Sequence, residues 1–178
     1  MCIRDRLKEI FRQSQESLIV MSAHRIVEGK LPDLRRHDSD FFFLPQEDPQ
    51  KAAQLIVSLC SVRLPRSYGY SSVTDIQVLC PGRKGELGTV ELNKHLREAI
   101  NPSARGKAEV KVNGALFRLG DKVMQIKNNY QLEWEVCTKY GMTIDKGLGV
   151  FNGDMGIIKN INTYEETVTA VSYTHLTL

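Results

Sequence analysis

The chain has 178 residues, of which 42% are hydrophobic and 25% charged, and its formal net charge is +3 at pH 7. This composition fits a globular protein of one ordinary domain, or one domain with a small insert, and it excludes a disordered chain. Because charge is nearly balanced, only local basic clusters are available to attract nucleic acid. The four cysteines lack C-x-x-C spacing, so neither a zinc site nor a disulfide framework is expected. No apolar run is long enough to cross a bilayer, and we expect a cytoplasmic setting.

Both ends of the chain look foreign to the protein. Residues 1–6 can be encoded by a short DNA sequence whose reverse complement, read in another frame, encodes residues 171–175. This inverted pair resembles the adaptor that transposase-based sequencing libraries attach to DNA fragments. We therefore expect residues 1–6 and 171–178 to be adaptor-encoded artefacts, with natural sequence between them that continues beyond both ends.

The first natural elements alternate between helix and strand. A helical pattern starts at Ser17 and stops at Gly29. An aromatic run at 40–44, bounded by a proline, predicts a buried strand. Asp48 followed by Pro49 marks the start of a second helix, which is expected to end near residue 62. The inner faces of the two helices are predicted to hold Ile19, Ala23, Ile26 and Val27 in the first, and Ala52, Leu55, Ile56, Leu59 and Cys60 in the second.

A basic segment with interleaved tyrosines, residues 63–70, follows the second helix. Its composition is typical of grooves that bind single-stranded nucleic acid, because aromatic rings stack on bases and arginines pair with phosphates. A solvated surface loop is the alternative.

The central feature of the sequence is a strand predicted at 75–80, a glycine-rich basic loop at 81–88 and a helix predicted at 89–100. Backbone N–H groups in such a loop and at a helix start suit a phosphate. Arg83 and Lys84 add positive charge beside it. Neither G-x-x-x-x-G-K-[ST] nor G-x-G-x-x-G is present, so a standard nucleotide site is not indicated and a plain solvated loop remains open.

After residue 102 the pattern becomes that of β-structure. Asn113-Gly114, flanked by short apolar runs, predicts a hairpin, and residues 122–126 predict a further strand. Residues 131–149 lack clear periodicity and are predicted to form a long surface connection. Residues 150–170 predict the opening strands of a small β-barrel.

Four blocks of the sequence together resemble the RecD-like ATP-dependent DNA helicases of superfamily 1B. They are Phe11-Arg12-Gln13, Ile76-Gln77-Val78-Leu79-Cys80-Pro81-Gly82-Arg83-Lys84-Gly85, residues 117–130 from Phe117-Arg118-Leu119-Gly120-Asp121 onward, and Val150-Phe151-Asn152-Gly153-Asp154. The resemblance implies an α/β fold: a partial second RecA-like motor domain over residues 7–130, followed after the connection by a truncated SH3-like barrel insert at 150–170.

The resemblance also implies a function. Such enzymes couple ATP hydrolysis, with Mg²⁺, to 5′-to-3′ movement on single-stranded DNA, and they act in recombination or repair. In the family, the second motor domain supplies an arginine to the γ-phosphate. Arg12 matches that position with Gln13 beside it, although an arginine paired with an acid at a helix start is the alternative. The P-loop and the magnesium acid are absent from the 178 residues, so this chain alone is expected not to hydrolyse ATP.

The expected partners are single-stranded DNA and duplex junctions. Contacts to phosphates would make binding dependent on salt and largely independent of sequence. The candidate DNA-contacting residues are Arg83, Lys84, Asn93, Lys122, Lys127, Asn128 and Asn129. A non-enzymatic module that binds single-stranded nucleic acid is the alternative function. A third possible function is that of a relaxase-helicase or of a helicase subunit of an exonuclease complex.

Overall fold

The structure, a computed structural model, describes residues 17–35, 40–138, 140, 142–165 and 167–172. Its backbone divides into two units, residues 1–47 and residues 48–178. The described part of the first unit holds one helix, and that of the second holds the remaining helices and all of the strands.

The helix of the first unit, α1, spans Leu18–Val27 and begins directly after Ser17, where the helical pattern was predicted to start. The Ser17 hydroxyl accepts a hydrogen bond from the Val20 N–H and donates one to the Asp40 carboxylate. The second Asp40 oxygen accepts the Leu18 N–H at 2.9 Å. The Ser17 hydroxyl is the main reason that the pKa of Asp40 is lowered, and it outweighs the opposing effect of desolvation. Two side chains thus satisfy amides that a helix start leaves without partners.

The face that α1 buries is not the predicted one. Leu18 and Val20 are buried, with 5% and 6% of their surface exposed. Periodicity identifies an apolar stripe but not which residues become buried, and in α1 these are Leu18, Val20 and Ser22. The residues predicted to face inward are all exposed: Ile19, Ala23, Ile26 and Val27.

The strand predicted at 40–44 is absent. In the described residues this segment pairs with no other strand, and Phe42, Phe43 and Leu44 are exposed by 51%, 42% and 52%. The aromatic composition suited a buried strand, but a strand requires a neighbouring strand to hydrogen-bond with its backbone.

The second unit opens with α2, Pro49–Ser58, capped as predicted by Asp48, whose carboxylate accepts the N–H groups of Gln50 and Lys51. Its buried residue is Ala53, followed by Cys60 in the π-helical turn Leu59–Arg63 that continues it. The helix does not end near residue 62 but continues through α3, Leu64–Tyr68.

Pro65 explains the π-helical turn. A proline inside a helix cannot donate to the carbonyl four residues earlier, and its ring crowds that carbonyl. The wider turn, in which the Leu64 N–H reaches the Leu59 carbonyl, accommodates this defect. The chain therefore stays helical to Tyr68, where Gly69 ends the helix in the left-handed conformation, with φ of 72°.

The segment 75–80 is also not a strand. It has no ladder partner within the described residues, although Ile76, Val78 and Cys80 are half-buried while Gln77 and Leu79 are exposed. The segment thus shows the alternating burial of a strand without the predicted strand's sheet. Helix α4, Thr89–Ile100, follows as predicted, with Leu92 as its most buried residue. The described residues therefore do not show a RecA-like layer of helices on a parallel sheet.

The hairpin at Asn113-Gly114 is confirmed. Strands β1, Glu109–Val112, and β2, Ala115–Arg118, pair antiparallel across it. Both turn residues have positive φ, 49° and 81°, as a tight two-residue hairpin requires.

The remaining strands form two further sheets. β3, Lys122–Met124, β6, Met155–Asn162, and β7, Thr167–Ser172, make a three-stranded antiparallel sheet in the order β3-β6-β7. The predicted strands after residue 155 are thus present, and β7 includes Val171 and Ser172 at the end assigned to the adaptor. Ile158, 1% exposed, is the most buried residue of this sheet.

The predicted surface connection at 131–149 is instead a long hairpin. β4, Asn129–Cys137, pairs with β5, Thr143–Val150, and Trp134 lies directly over Gly147. Most of its residues are exposed, which is why its sequence resembled a loop. Since the three sheets in the described residues remain separate, they do not form a closed barrel.

Candidate nucleic-acid interface

The basic loop 81–88 folds back on the first turn of α4. The carbonyl of Gly82 accepts the Thr89 N–H at 3.1 Å, that of Arg83 accepts the Val90 N–H at 3.3 Å, and that of Gly85 accepts the Gly88 N–H at 2.9 Å. These donors are three of the amides on which the predicted phosphate cradle depended. Because the loop's own carbonyls already occupy these three, they are not available to a phosphate, and the side chains of Arg83 and Lys84 supply positive charge at this site.

Gly88 allows this close return of the loop. A Cβ there would lie 2.5 Å from the Lys84 carbonyl oxygen and 2.6 Å from that of Arg83, distances that real side chains do not adopt. The backbone of Arg83 and Lys84 is thus held against the start of α4, while both residues are exposed. The arrangement fixes two neighbouring cations at the surface.

Asn93 and Lys127 are the other exposed candidates. Asn93 lies on α4, one turn beyond the loop, and Lys127 follows β3. The backbone carbonyl of Lys127 accepts the side-chain amide of Gln125 at 2.7 Å, and the residue is exposed. Both residues are thus accessible to a ligand, and their role remains a prediction.

Lys122 is engaged within the protein. Its ammonium donates to the Ile76 carbonyl at 3.1 Å and so joins β3 to the extended segment 75–80. Burial lowers the pKa of Lys122, and the nearby Asp75 carboxylate opposes that effect. The pKa of Asp75 is itself lowered, first by the Ser71 N–H and then by the Thr74 hydroxyl. Lys122 is therefore half-buried and tethered, unlike Arg83 and Lys84.

Asn128 and Asn129 also have partners inside the chain. The side-chain oxygen of Asn128 accepts the Asn152 N–H at 2.8 Å, and the side-chain NH₂ of Asn128 donates to the Tyr130 hydroxyl at 3.0 Å. The Asn129 side chain accepts the Gln131 N–H at 3.1 Å. Asn128 thus links the start of β4 to the turn before β6. A role of either residue in DNA binding stays a prediction.

The two ATP-related candidates, Arg12 and Gln13, lie outside the described residues. In the described part of the chain, no group of three or more His, Cys, Asp or Glu residues is arranged to hold a metal ion.

A buried polar group that the sequence pattern did not predict is centred on Arg118, at the end of β2. Only 3% of its side chain is exposed. Its guanidinium contacts Glu109 on β1, Glu98 on α4 at 3.2 Å, and the Asn101 carbonyl at the end of α4. We call Arg118, Glu98, Asn101, Glu109 and Asp121 the Arg118 cluster.

Asp121 closes this cluster. One of its carboxylate oxygens accepts the Arg118 N–H at 2.8 Å, and the other accepts the Asn101 side-chain amide at 2.6 Å. Its carbonyl accepts the Ile158 N–H, and the Ile158 carbonyl accepts the Gly120 N–H, each at 2.9 Å. The cluster thus connects α4, the first hairpin and β6. The sequence signal that could have indicated this cluster is an arginine and an aspartate three residues apart, Arg118 and Asp121, in a mostly apolar run.

The charges in the cluster stabilise each other. Burial acts against the Arg118 cation, but hydrogen bonds to Glu109 and Glu98 outweigh it and raise the pKa of Arg118. The Ser103 hydroxyl, followed by Arg118, lowers the pKa of Glu109. A permanently charged fork that serves several acceptors at once suits arginine better than lysine.

Within the described residues, every helix is too short or too polar to cross a bilayer.

Two comparisons with known proteins indicate the class of protein to which this chain is similar. A family model described as the ATP-dependent RecD-like DNA helicase SH3 domain matches residues 92–173. The β-rich part of the chain is thus similar to the SH3 domain of that family. The match begins within α4, earlier than the predicted insert boundary at 150, which stays a prediction.

A curated relative extends the similarity over nearly the whole chain. The ATP-dependent RecD2 DNA helicase of Deinococcus radiodurans is 29% identical over 156 residues, which are 86% of this chain and 17% of the relative. The resemblance to the RecD-like helicases is thereby confirmed, since both comparisons lead to that family.

Proposed function

We propose that this chain is part of an ATP-dependent DNA helicase that moves 5′-to-3′ on single-stranded DNA in the cytoplasm and acts in recombination or repair. The observation that carries the proposal is the similarity to a named DNA helicase across 86% of the chain. The partners that follow are single-stranded DNA and duplex junctions.

In this proposal Arg83 and Lys84 form the contact to DNA phosphates. They are exposed, adjacent in sequence and attached to a loop whose backbone is hydrogen-bonded to α4. A cation on a fixed backbone loses less conformational freedom on binding than one on a mobile loop. Asn93 and Lys127 extend the contact, while Lys122, Asn128 and Asn129 contribute through the segments that they hold in place.

The ATP-related part of the proposal rests on the family resemblance. Arg12 would reach the γ-phosphate of ATP bound mainly by another motor domain, with Gln13 orienting it, and Mg²⁺ would be held outside this chain. A planar, permanent cation there stabilises the charge that develops during phosphoryl transfer.

A salt titration tests the DNA contact. The chain and its Arg83→Ala/Lys84→Ala variant are titrated against a fluorescein-labelled oligothymidylate at several salt concentrations. Loss of two phosphate contacts should reduce the slope of log K against log salt by about 1.4 for a single strand. A Lys146→Ala/Lys159→Ala variant, which removes two exposed lysines of β5 and β6, is the matched control. An unchanged slope and affinity would exclude Arg83 and Lys84 from the interface.

ATP turnover separates the helicase from its alternative, a non-enzymatic module. The full-length protein is expected to hydrolyse ATP faster when single-stranded DNA is added, and Arg12→Ala is expected to abolish that stimulation. The 178-residue chain alone should show no turnover. A full-length protein that binds single strands but never hydrolyses ATP would favour the non-enzymatic module. The remaining domains decide between a free helicase, a relaxase-helicase and an exonuclease subunit.

A further inference from the structure

Two tyrosines at the end of α3 form a stacked pair on the surface. Tyr68 is the last residue of the helix, and Tyr70 follows Gly69, whose left-handed conformation turns the chain back. The ring centroids are 5.4 Å apart and the ring planes differ by 16°. A Cβ at Gly69 would meet nothing within 4 Å, so the glycine is needed for its φ of 72° alone. The turn therefore sets the two rings parallel.

The pair is not part of the hydrophobic core. Tyr68 is 59% exposed and Tyr70 47% exposed. Two stacked rings cover one face of each other, and each keeps an outer face on which a third flat ring can stack. Nucleic-acid bases provide such rings, and base stacking on aromatic side chains is tolerant of sequence.

The charge around the pair favours an anionic ligand. Arg63 and Arg66, three residues apart in the continuous helix, lie on one helical face and are exposed. Within the described residues neither forms an ion pair with an acid. The carboxylate nearest in sequence, Asp75, is already bonded to the Ser71 N–H and the Thr74 hydroxyl. Two exposed cations with no acid paired to them thus precede the two stacked aromatic rings in the chain.

Stacked rings and unpaired cations together select for one kind of ligand. An acidic peptide would use the arginines but has no use for a parallel aromatic face, whereas an unpaired nucleotide uses both. We propose that Tyr68 and Tyr70, with Arg63 and Arg66, bind unpaired nucleotides by stacking a base on the tyrosine pair. The inference rests on the proposed single-strand binding and adds to it a base-stacking site separate from the Arg83–Lys84 phosphate contact.

An abasic strand separates stacking from charge. The chain is titrated by fluorescence anisotropy against a labelled oligothymidylate and against a strand of the same length with abasic sugars, which has phosphates but no rings. Tyr68→Ala/Tyr70→Ala should weaken binding to the thymidylate about tenfold. Binding to the abasic strand should stay unchanged. Tyr68→Phe/Tyr70→Phe should retain wild-type affinity, because the rings remain.

The controls distinguish failure of the stacking site from failure of the proposed function. Tyr164→Ala removes an isolated tyrosine that is 96% exposed and should change neither affinity. Arg63→Ala/Arg66→Ala should weaken both strands and reduce the salt slope. The stacking site is wrong if Tyr68→Ala/Tyr70→Ala binds thymidylate with wild-type affinity, or if its affinity falls by the same factor for both strands. This holds even when Arg83→Ala/Lys84→Ala still reduces the slope of log K against log salt. If the wild type binds neither strand, the stacking site and the proposed function fall together.

Discussion

The ammonium of Lys122 donates a hydrogen bond to the carbonyl oxygen of Ile76, 3.1 Å away and 46 positions earlier in the chain. This bond places one end of β3 beside the segment that leads into the basic loop. A lysine within a motif shared with DNA helicases therefore has a structural partner, and its effect on stability is separable from any effect on DNA.

Replacing Lys122 with methionine tests this tether. The variant leaves the Ile76 carbonyl without its donor and should lower the free energy of unfolding by about 1 kcal/mol in urea at pH 7. The affinity for oligothymidylate should change little. Lys159→Met, at an exposed position of β6, is the control and should leave stability unchanged. A large loss of DNA affinity with unchanged stability would instead make Lys122 a direct DNA contact.

The same residue predicts a pH dependence. Because the pKa of Lys122 is lower in the folded chain than its ordinary value of 10.5, the unfolded chain binds the proton more tightly. Stability conferred by Lys122 should therefore rise as pH increases through the lowered pKa towards the ordinary one. Urea unfolding of wild type and Lys122→Met at pH 8 and pH 10.5 measures the difference. The prediction fails if the wild type gains no stability relative to Lys122→Met between pH 8 and pH 10.5.

Removing Arg118 should be among the most damaging single changes in the second unit. Arg118→Met leaves Glu98, Glu109 and the Asn101 carbonyl without their shared donor, and we expect a loss of about 3 kcal/mol. Arg118→Lys should recover only part of it, since an ammonium cannot span the same acceptors. Arg105→Met, in the exposed loop before β1, is the control. Equal unfolding midpoints for Arg118→Met and Arg105→Met would contradict a stabilising cluster.

Glu109 should make the fold sensitive to acid. Its pKa is lowered below the ordinary value of 4.5, so its contribution is fully present above that value and is lost as pH falls through the lowered pKa. The wild type should lose stability from pH 6 to pH 3 more steeply than Glu109→Gln. Glu133→Gln, on the exposed hairpin, should follow the wild type. Parallel curves for wild type and Glu109→Gln, measured by circular dichroism, would count against this role.

Two glycines of the basic loop should respond differently to alanine. Gly88→Ala forces a Cβ against two backbone carbonyls and should cost about 1–3 kcal/mol. Gly82→Ala meets open space and should change stability by less than about 0.5 kcal/mol. Thermal unfolding compares the two variants. If both tolerate alanine equally, the loop does not fold tightly against α4.

The sequence by itself determined the features that depend on a few neighbouring residues. The serine cap of α1, the Asp48 cap of α2, the helix at 89–100 and the hairpin at Asn113-Gly114 all follow from local backbone preferences and short hydrogen bonds. The similarity to the RecD-like helicases was likewise readable from blocks of adjacent residues.

Only the tertiary structure decided features that depend on distant partners. Segments 40–44 and 75–80 have strand-like composition but no neighbouring strand, whereas 131–149 looks like a loop yet pairs as a hairpin. Arg118 and Lys122, both read from sequence as parts of a helicase motif, are held by groups 20 and 46 positions away. Because an ordered ladder or a buried charge exists only once its partner is in place, residue types alone did not fix these outcomes.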